Sequence, residues 1–180
     1  TDAHSALSDS IMTAKVLNIV KKKQPSTWES FFKTANKSDT ETIIKKGEII
    51  TLNEYYYGKS RLHLVAPLHQ KYCMHPIYTG WYYAFDLRTD VEPLLNLSIN
   101  ELKVEMKKSP KFLRTIRSNK APIVVDAQYG MQAEPYNVMD KSLINKRADI
   151  IKNNEKFSQN ILHALREVAE EKEQSKTQED

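Results

Sequence analysis

A histidine and an aspartate near the start of the chain have the residue types and spacing of a catalytic pair. His4 lies five residues before Asp9, and Ala6 between them leaves room for a neighbouring element to pack closely. An imidazole can take a proton from an attacking water, and a carboxylate can hold Mg²⁺. The alternative is structural, because an acid is also favourable in the first turns of a helix and His4 is nearly terminal. Taken alone, the spacing favours the structural interpretation.

A second group of possible metal ligands lies in the middle of the chain. His63, His69, Cys73 and His75 fall within thirteen residues. Their spacing does not repeat the ligand pairs typical of zinc sites, and His63 lies in a strand-like stretch. We therefore expect no zinc there, and we expect His75, which precedes Pro76, to lie in a structural turn.

The composition predicts one domain, with or without an appendage, that has a basic body and an acidic end. The 180 residues are 40% hydrophobic, which is enough for a packed core. The net charge is +4, but residues 167–180 carry −4, so residues 1–166 carry +8. Such a body suits a polyanion or an acidic peptide, although a solvated lysine-rich face is the simpler alternative. One cysteine and the lack of an apolar run near ~20 residues predict a soluble, cytoplasmic protein without membrane contact.

Helical and strand-like patterns occur in separate blocks along the chain. The predicted elements are, in order, a helix over 5–22, two short helices capped by Ser26 and Asp39, about five strands interrupted by one helix capped by Ser98, and further helix from Asp140. This order predicts an α+β fold, with a small β-barrel or curled antiparallel sheet and flanking and inserted helices.

Several stretches shift the interpretation of the His4 and Asp9 pair. In chain order they are "AHSALSDSIMTAKVLNIVKKKQP", "VAPL", "HP", "FDLRTDVEPLLNLSINELK", "SNKAPIVV" and "INKR". Together they resemble bacterial exonuclease I, over the chain up to about residue 165, whereas residues 40–58 share little with that family. The resemblance implies part of a Mg²⁺-dependent 3′-to-5′ exonuclease of the DEDDh type, which degrades single-stranded DNA in repair and recombination.

The resemblance also implies roles for the pair and a division of the chain. His4 matches the general base, and Asp9 matches the last metal-binding aspartate. The implied segments are the last helix of the exonuclease domain (1–24), an SH3-like domain with inserted helices (25–153) and a helix that starts the helical region (154–173). Composition predicts that 174–180 form a disordered acidic tail. A two-metal site needs further carboxylates that are expected upstream, so we expect a fragment that is inactive alone.

Two partners are implied, both anionic. Single-stranded DNA needs basic side chains beside aromatic faces, and the acidic tail of single-stranded DNA-binding protein needs basic residues beside an apolar pocket. Candidates for DNA are Tyr56, Tyr57, Lys59 and Arg61, at a predicted hairpin tip; candidates for the tail are Arg117, Lys120, Lys146 and Arg147. The parent enzyme is expected to be monomeric. The alternative is a non-catalytic barrel domain that binds single-stranded DNA or a peptide, in which the His4 and Asp9 spacing is a coincidence.

Overall fold

The chain folds into helices on either side of a single sheet, so the predicted α+β class is confirmed. The computed structural model describes residues 6–177, with side chains for 6–175. The helices of this part are α1 (Ala6–Lys23), α2 (Pro25–Phe32), α3 (Lys37–Lys45), α4 (Ile99–Lys107), α5 (Ala127–Gly130), α6 (Lys141–Asn153) and α7 (Glu155–Thr177). The strands are β1 (Ile50–Tyr56), β2 (Lys59–Pro67), β3 (Trp81–Asp86), β4 (Leu113–Arg117) and β5 (Ile123–Asp126).

All five strands belong to one antiparallel sheet with the order β4-β3-β2-β1-β5. β1 and β2 form a hairpin in which Tyr56 pairs with Lys59. β5 returns from far along the chain to pair with β1, with Ile50 opposite Asp126. Within the described residues the edge strands β4 and β5 do not pair with each other. Of the two forms predicted, the antiparallel sheet is therefore correct and the closed barrel is not.

The core lies where the middle strands meet the last two helices. β2 is buried from His63 to Pro67 and β3 from Tyr82 to Asp86, because both faces of these strands are covered. The ring of Phe85 packs 5.7 Å from Phe112 and 6.2 Å from Phe157 on α7. Full burial of one such side chain contributes about 1.5–3 kcal/mol. This packing fixes α7, and with it α4, which lies against α7, at one side of the sheet.

Of the three predicted helix caps, Ser98 is confirmed, whereas Ser26 and Asp39 are not N-caps. The predicted capping box at the start of α4 is confirmed, with Ser98 accepting from the Glu101 N–H and Glu101 accepting from the Ser98 N–H. α3 begins after Asn36, whose side chain accepts from the Asp39 N–H at 2.8 Å, so the predicted Asp39 cap is wrong. α2 begins at Pro25, which needs no N–H there, and Ser26 lies inside the helix.

The two long helices differ in how they are packed. α1 confirms the predicted first helix, but it has no buried residue, and apolar side chains such as Leu7 and Met12 are 71% and 60% exposed. α7 is anchored in the core and continues to Thr177, beyond the end predicted at residue 173. Neither these helices nor any other in residues 6–177 is long and apolar enough to cross a membrane.

Candidate nucleic-acid interface

A groove with a volume of about 940 Å³ lies between the open end of the sheet and the helices α4 and α7. We call it the basic groove. Its cationic residues are Lys103, Lys107, Lys111, Arg114, Arg117, Lys120 and Lys172; its aromatic residues are Tyr55, Tyr56 and Tyr83; and its apolar residues include Leu52, Met106, Leu113, Leu165 and Val168. Glu54 is the single acidic residue among the described residues that line it.

Most of the positive charge in the groove is not neutralised by nearby acids. Glu54 is 3.0 Å from Arg114, and Lys103 is held by Glu167 and Glu171 of α7. The other lysines of the groove, Lys107, Lys111, Lys120 and Lys172, form no ion pair with the side chains that the structure describes. An anion in the groove therefore meets several ammonium groups without a carboxylate partner, of which that of Lys111 donates to the Met106 carbonyl at 2.8 Å.

The tyrosines reach the groove because β1 extends beyond the end of its neighbour β5. β5 pairs with β1 only as far as Asn53, so the last residues of β1 form an open edge. Tyr55 and Tyr56 point to opposite sides of the strand, yet both line the groove at this edge, 73% and 47% exposed. Burial first, and then the neighbouring Glu54 carboxylate, raise the pKa of Tyr56. The ring is therefore neutral at physiological pH and is available for stacking.

A buried network of charges holds Arg114 at the groove wall. Two nitrogens of Arg114 donate to Asp86 Oδ2 at 3.1 Å, and its Nη1 donates to Glu54 Oε2 at 3.0 Å. His63 lies between the same two acids, with Nδ1 3.4 Å from Asp86 and Nε2 3.2 Å from Glu54. The Nε2 contact is not a hydrogen bond, and it is an ion pair when the imidazole is protonated. Tyr136 completes the network by donating to Asp86 Oδ1 at 2.6 Å.

The network fixes the charges of its own members. Burial alone would raise the pKa of Asp86, but His63, Tyr136 and the two neighbouring arginines together lower it. Burial alone would lower the pKa of His63, but its contacts with Asp86 and Glu54 raise it instead. The acids are thus held ionised and the imidazole is biased toward its charged form.

A second aromatic cluster borders the groove at Arg117. The Arg117 guanidinium lies 4.2 Å from the ring centroid of Trp81, which contacts Tyr78 at 5.0 Å. His75 is buried beneath these rings, and its Nδ1 accepts from the N–H groups of Ile77 and Tyr78 at 3.0 and 3.1 Å. These bonds place His75 in the predicted turn.

The residues predicted to bind DNA separate in the structure. Tyr56 lines the basic groove, whereas Tyr57 and Lys59 lie at the hairpin tip outside it. Tyr57 is fully exposed with φ +48°, a left-handed conformation that is strained for a residue with a side chain. Arg61 lines a different cavity, beside the start of β2.

The residues predicted to bind the acidic tail also separate. Arg117 and Lys120 line the basic groove. Lys146 is exposed on α6, in a shallow cleft beside Ile150, and pairs with Glu92 at 2.6 Å. Arg147 is 9% exposed and donates to the carbonyls of Leu87 and Arg88. Its guanidinium is committed to the fold, so we remove Arg147 from the predicted interface.

The sequence predictions missed most of the groove's lysines. Lys103 and Lys107 are four residues apart on α4, a spacing that places both on one helix face. That spacing was a usable signal. The contribution of Lys172 had no comparable signal, because it depends on how α7 packs against α4.

The predicted catalytic pair is only partly described. His4 lies outside the described residues, and Asp9 is exposed in the first turn of α1. In the part of the chain that the structure describes, no three His, Cys, Asp or Glu side chains gather in a way that could hold a metal ion. Asp9 therefore does not complete a Mg²⁺ site with described residues.

The open sheet and the basic groove define the chain as an α+β domain with a strongly cationic surface groove. No protein-family model matches it. It is similar to exodeoxyribonuclease I of Buchnera aphidicola (subsp. Acyrthosiphon pisum), with 28% identity over 175 residues that cover 89% of this chain and 40% of the relative. The predicted resemblance to bacterial exonuclease I is thus confirmed, and the chain spans about two fifths of that relative's length.

Several solved structures of exonuclease I have a similar fold. Exonuclease I from Methylocaldum szegediense has a TM-score of 0.68 and 22% identity, over 92% of this chain and 38% of that one. Escherichia coli exonuclease I in complex with a 5cy-dT13 oligonucleotide has a TM-score of 0.65 and 18% identity, over 90% and 37%. An ExoI/SSB-Ct complex has a TM-score of 0.65 at 18% identity, and a zinc-ion-bound E. coli ExoI–ssDNA complex has 0.64 at 19%.

Proposed function

We propose that this chain is part of a cytoplasmic 3′-to-5′ single-stranded DNA exonuclease, and that its basic groove holds the strand. The observation that carries the proposal is the lining of the groove. Among the described residues it contains seven cationic side chains and two exposed tyrosines, but one acidic side chain. The likeness to exodeoxyribonuclease I supports it, as does the oligonucleotide bound by the E. coli relative.

The groove has both parts that a single strand requires. Free lysines neutralise phosphates and release counterions, which favours any nucleic acid. Exposed aromatic faces add about 1–3 kcal/mol for each stacked base, and only unpaired bases present a free face. Tyr55 and Tyr56 therefore favour a single strand over a duplex.

A binding assay with matched variants tests the groove. Fluorescence anisotropy of a labelled oligothymidylate is measured with the 180-residue chain at low salt. Lys107→Gln should weaken binding roughly fivefold because Lys107 faces the groove. Lys108→Gln is the control, since the adjacent Lys108 pairs with Glu105 and does not line the groove. Equal affinities for the two variants would contradict the proposal.

Stacking is tested separately from charge at Tyr56. Tyr56→Ala should weaken binding about tenfold, whereas Tyr56→Phe keeps the ring and should bind like the wild type. If the phenylalanine variant loses as much as the alanine variant, the hydroxyl matters and stacking does not.

For catalysis we propose that His4 is the general base and Asp9 a Mg²⁺ ligand of the complete enzyme. The support is the match of these residues to the family pattern. The residues described here supply Asp9 without the further carboxylates that a two-metal site needs. The chain alone should therefore release no nucleotides from an oligothymidylate 3′ end with Mg²⁺, and such release would refute this expectation.

A second candidate role is binding of an acidic peptide at the cleft on α6. Lys146 lies beside the apolar Ile150 there, which suits a peptide with acidic residues and an apolar end that displaces Glu92 from Lys146 and stays clear of Asp149 in the same cleft. The ExoI/SSB-Ct complex among the similar structures supports this role. Titration with such a peptide should give affinity that falls in Lys146→Gln and is kept in Lys141→Gln, an exposed α6 lysine outside the cleft. Unchanged affinity in Lys146→Gln would exclude the cleft.

A further inference from the structure

A separate cavity with a volume of about 420 Å³ lies beside the start of β2 and, within residues 6–175, shares no lining residue with the basic groove. Its walls are the start of β2, Arg88 after the end of β3, and the turn of residues 133–136 that precedes α6. Arg61, His63, Arg88, Glu134 and Tyr136 contribute to its lining. None of the described residues lines both this cavity and the basic groove, so the two are distinct sites.

The backbone holds Arg88 at this cavity. The Leu87 N–H donates to the Leu64 carbonyl at 3.0 Å, which continues the pairing of β3 with β2 by one residue. The Arg88 N–H donates to Asp86 Oδ1 at 3.2 Å. Arg88 therefore lies alongside the buried His63, whose position is fixed by strand pairing.

The guanidinium of Arg88 is only partly satisfied by the protein. Its Nε is buried 3.2 Å from Asp86 Oδ2 but makes no hydrogen bond, and Arg114 donates two nitrogens to the same oxygen. Its Nη2 makes one long contact, 3.4 Å, to the Lys111 carbonyl. About a quarter of the side chain is exposed. The buried Nε is out of reach of a ligand, but the terminal nitrogens of Arg88, which make only this one long bond with the described residues, keep donors that a ligand can use.

The charges around the cavity favour an anion. Arg61 is exposed and has no ion-pair partner among the described side chains, although it lies opposite Glu54 in the strand register. The acid that lines the cavity, Glu134, is exposed to solvent. Two arginines with planar, forked donors form the arrangement that suits a tetrahedral oxyanion.

We propose that this cavity binds one phosphate group between Arg61 and Arg88. The volume lies within the range of small-ligand sites and leaves room for the group with its bridging waters. The phosphate can belong to a nucleic-acid strand that crosses the hairpin or to a free small molecule. Both sources share this chemistry and are separated by experiment.

The test uses arginine side-chain resonances of the 180-residue chain. The Nε–Hε signals of Arg61 and Arg88 are followed by NMR during titration with inorganic phosphate, against chloride at equal ionic strength. Both signals should shift and saturate with phosphate only. Arg61→Gln should weaken the response of Arg88 about tenfold, whereas Arg166→Gln, an exposed arginine on α7 that lines neither cavity, should leave it unchanged.

Arg61→Gln is the deciding variant because Arg61 is exposed, whereas replacing Arg88 disturbs the buried network. Responses that are absent, or that are equal in the wild type and Arg61→Gln, would overturn the proposal. A second arm adds oligothymidylate to the phosphate-saturated chain. Displacement of phosphate identifies a nucleic-acid phosphate as the ligand, and retention identifies a free phosphate compound. Variants at Lys107 address the basic groove alone, so the two proposals fail independently.

Discussion

Replacing Asp86 with asparagine removes the carboxylate at the centre of the buried network beside the basic groove. Asp86 has no exposed surface and accepts hydrogen bonds from Arg114, Tyr136 and the Arg88 backbone. An amide cannot balance the charge of Arg114. The variant therefore leaves Arg114 with Glu54 as its remaining carboxylate partner, while the shape of the side chain stays nearly the same.

The expected cost follows from this burial. Removing one partner of a buried ion pair destabilises a protein by about 3–5 kcal/mol. For a chain of this length each kcal/mol lowers Tm by about 2–4 °C, so Asp86→Asn should melt roughly 10 °C below the wild type. Tyr136→Phe removes only one hydrogen bond to the same carboxylate and should cost about 1.5–3 kcal/mol.

Urea unfolding followed by tryptophan fluorescence measures these differences, and a matched aspartate provides the control. Asp126 is the last residue of β5, as Asp86 is of β3, but it is half-exposed and pairs with Lys33 on the surface at 3.0 Å. Asp126→Asn should cost less than about 1 kcal/mol. If Asp86→Asn unfolds with the same midpoint as Asp126→Asn, the network does not stabilise the fold as argued.

Four further predictions follow from the described contacts. The pKa of His63 is higher in the folded chain than in the unfolded chain, so its protonation stabilises the fold. This contribution to the free energy of unfolding is complete below the unfolded pKa of about 6.5 and is lost as the pH rises through the folded pKa. The urea midpoint should fall over that pH range, and His63→Gln should flatten the fall. Gly130→Ala should cost about 1–3 kcal/mol in the same assay, because its Cβ would lie 2.7 Å from Thr51 Oγ1. Ser98→Ala should cost about 1 kcal/mol by loss of the α4 cap, and a wild-type midpoint would show that the cap is dispensable. Lys107→Gln should reduce the salt dependence of oligothymidylate binding by about one phosphate contact, read from the slope of log affinity against log salt.

Local patterns predicted most of the elements because their causes lie within a few residues. The capping box of Ser98 and Glu101 is such a case. Asp39 is not the cap because the helix begins one turn earlier, where the Asn36 side-chain oxygen accepts from the Asp39 N–H; the next residue, Thr40, is buried. Asn36 and Asp39 are both residue types that cap helices, and their order along the chain does not by itself show which one begins α3.

The candidate site was less predictable because it is assembled from distant segments. Tyr56, Arg117 and Lys120 were identified by type, but their meeting with Lys172 depends on the packing of α4 against α7. The helical spacing around Arg147 indicates burial. This residue shares a helix face with Ile144 and Ile151, at three- and four-residue spacing, and all three are buried. Its neighbour Lys146 is turned about 100° away around the helix and is exposed.

The pairing of β1 with β5 has a consequence for how the chain folds. Thr51 and Asp126, joined by a hydrogen bond across this pair, are 75 residues apart in sequence, whereas β1 and β2 meet through a two-residue turn. Contacts of such separation carry a large loop-closure cost and form slowly. We expect the hairpin to form early and β5 to join late. The basic groove also needs Lys172, so oligonucleotide affinity that appears during refolding reports the last step of assembly rather than the first collapse.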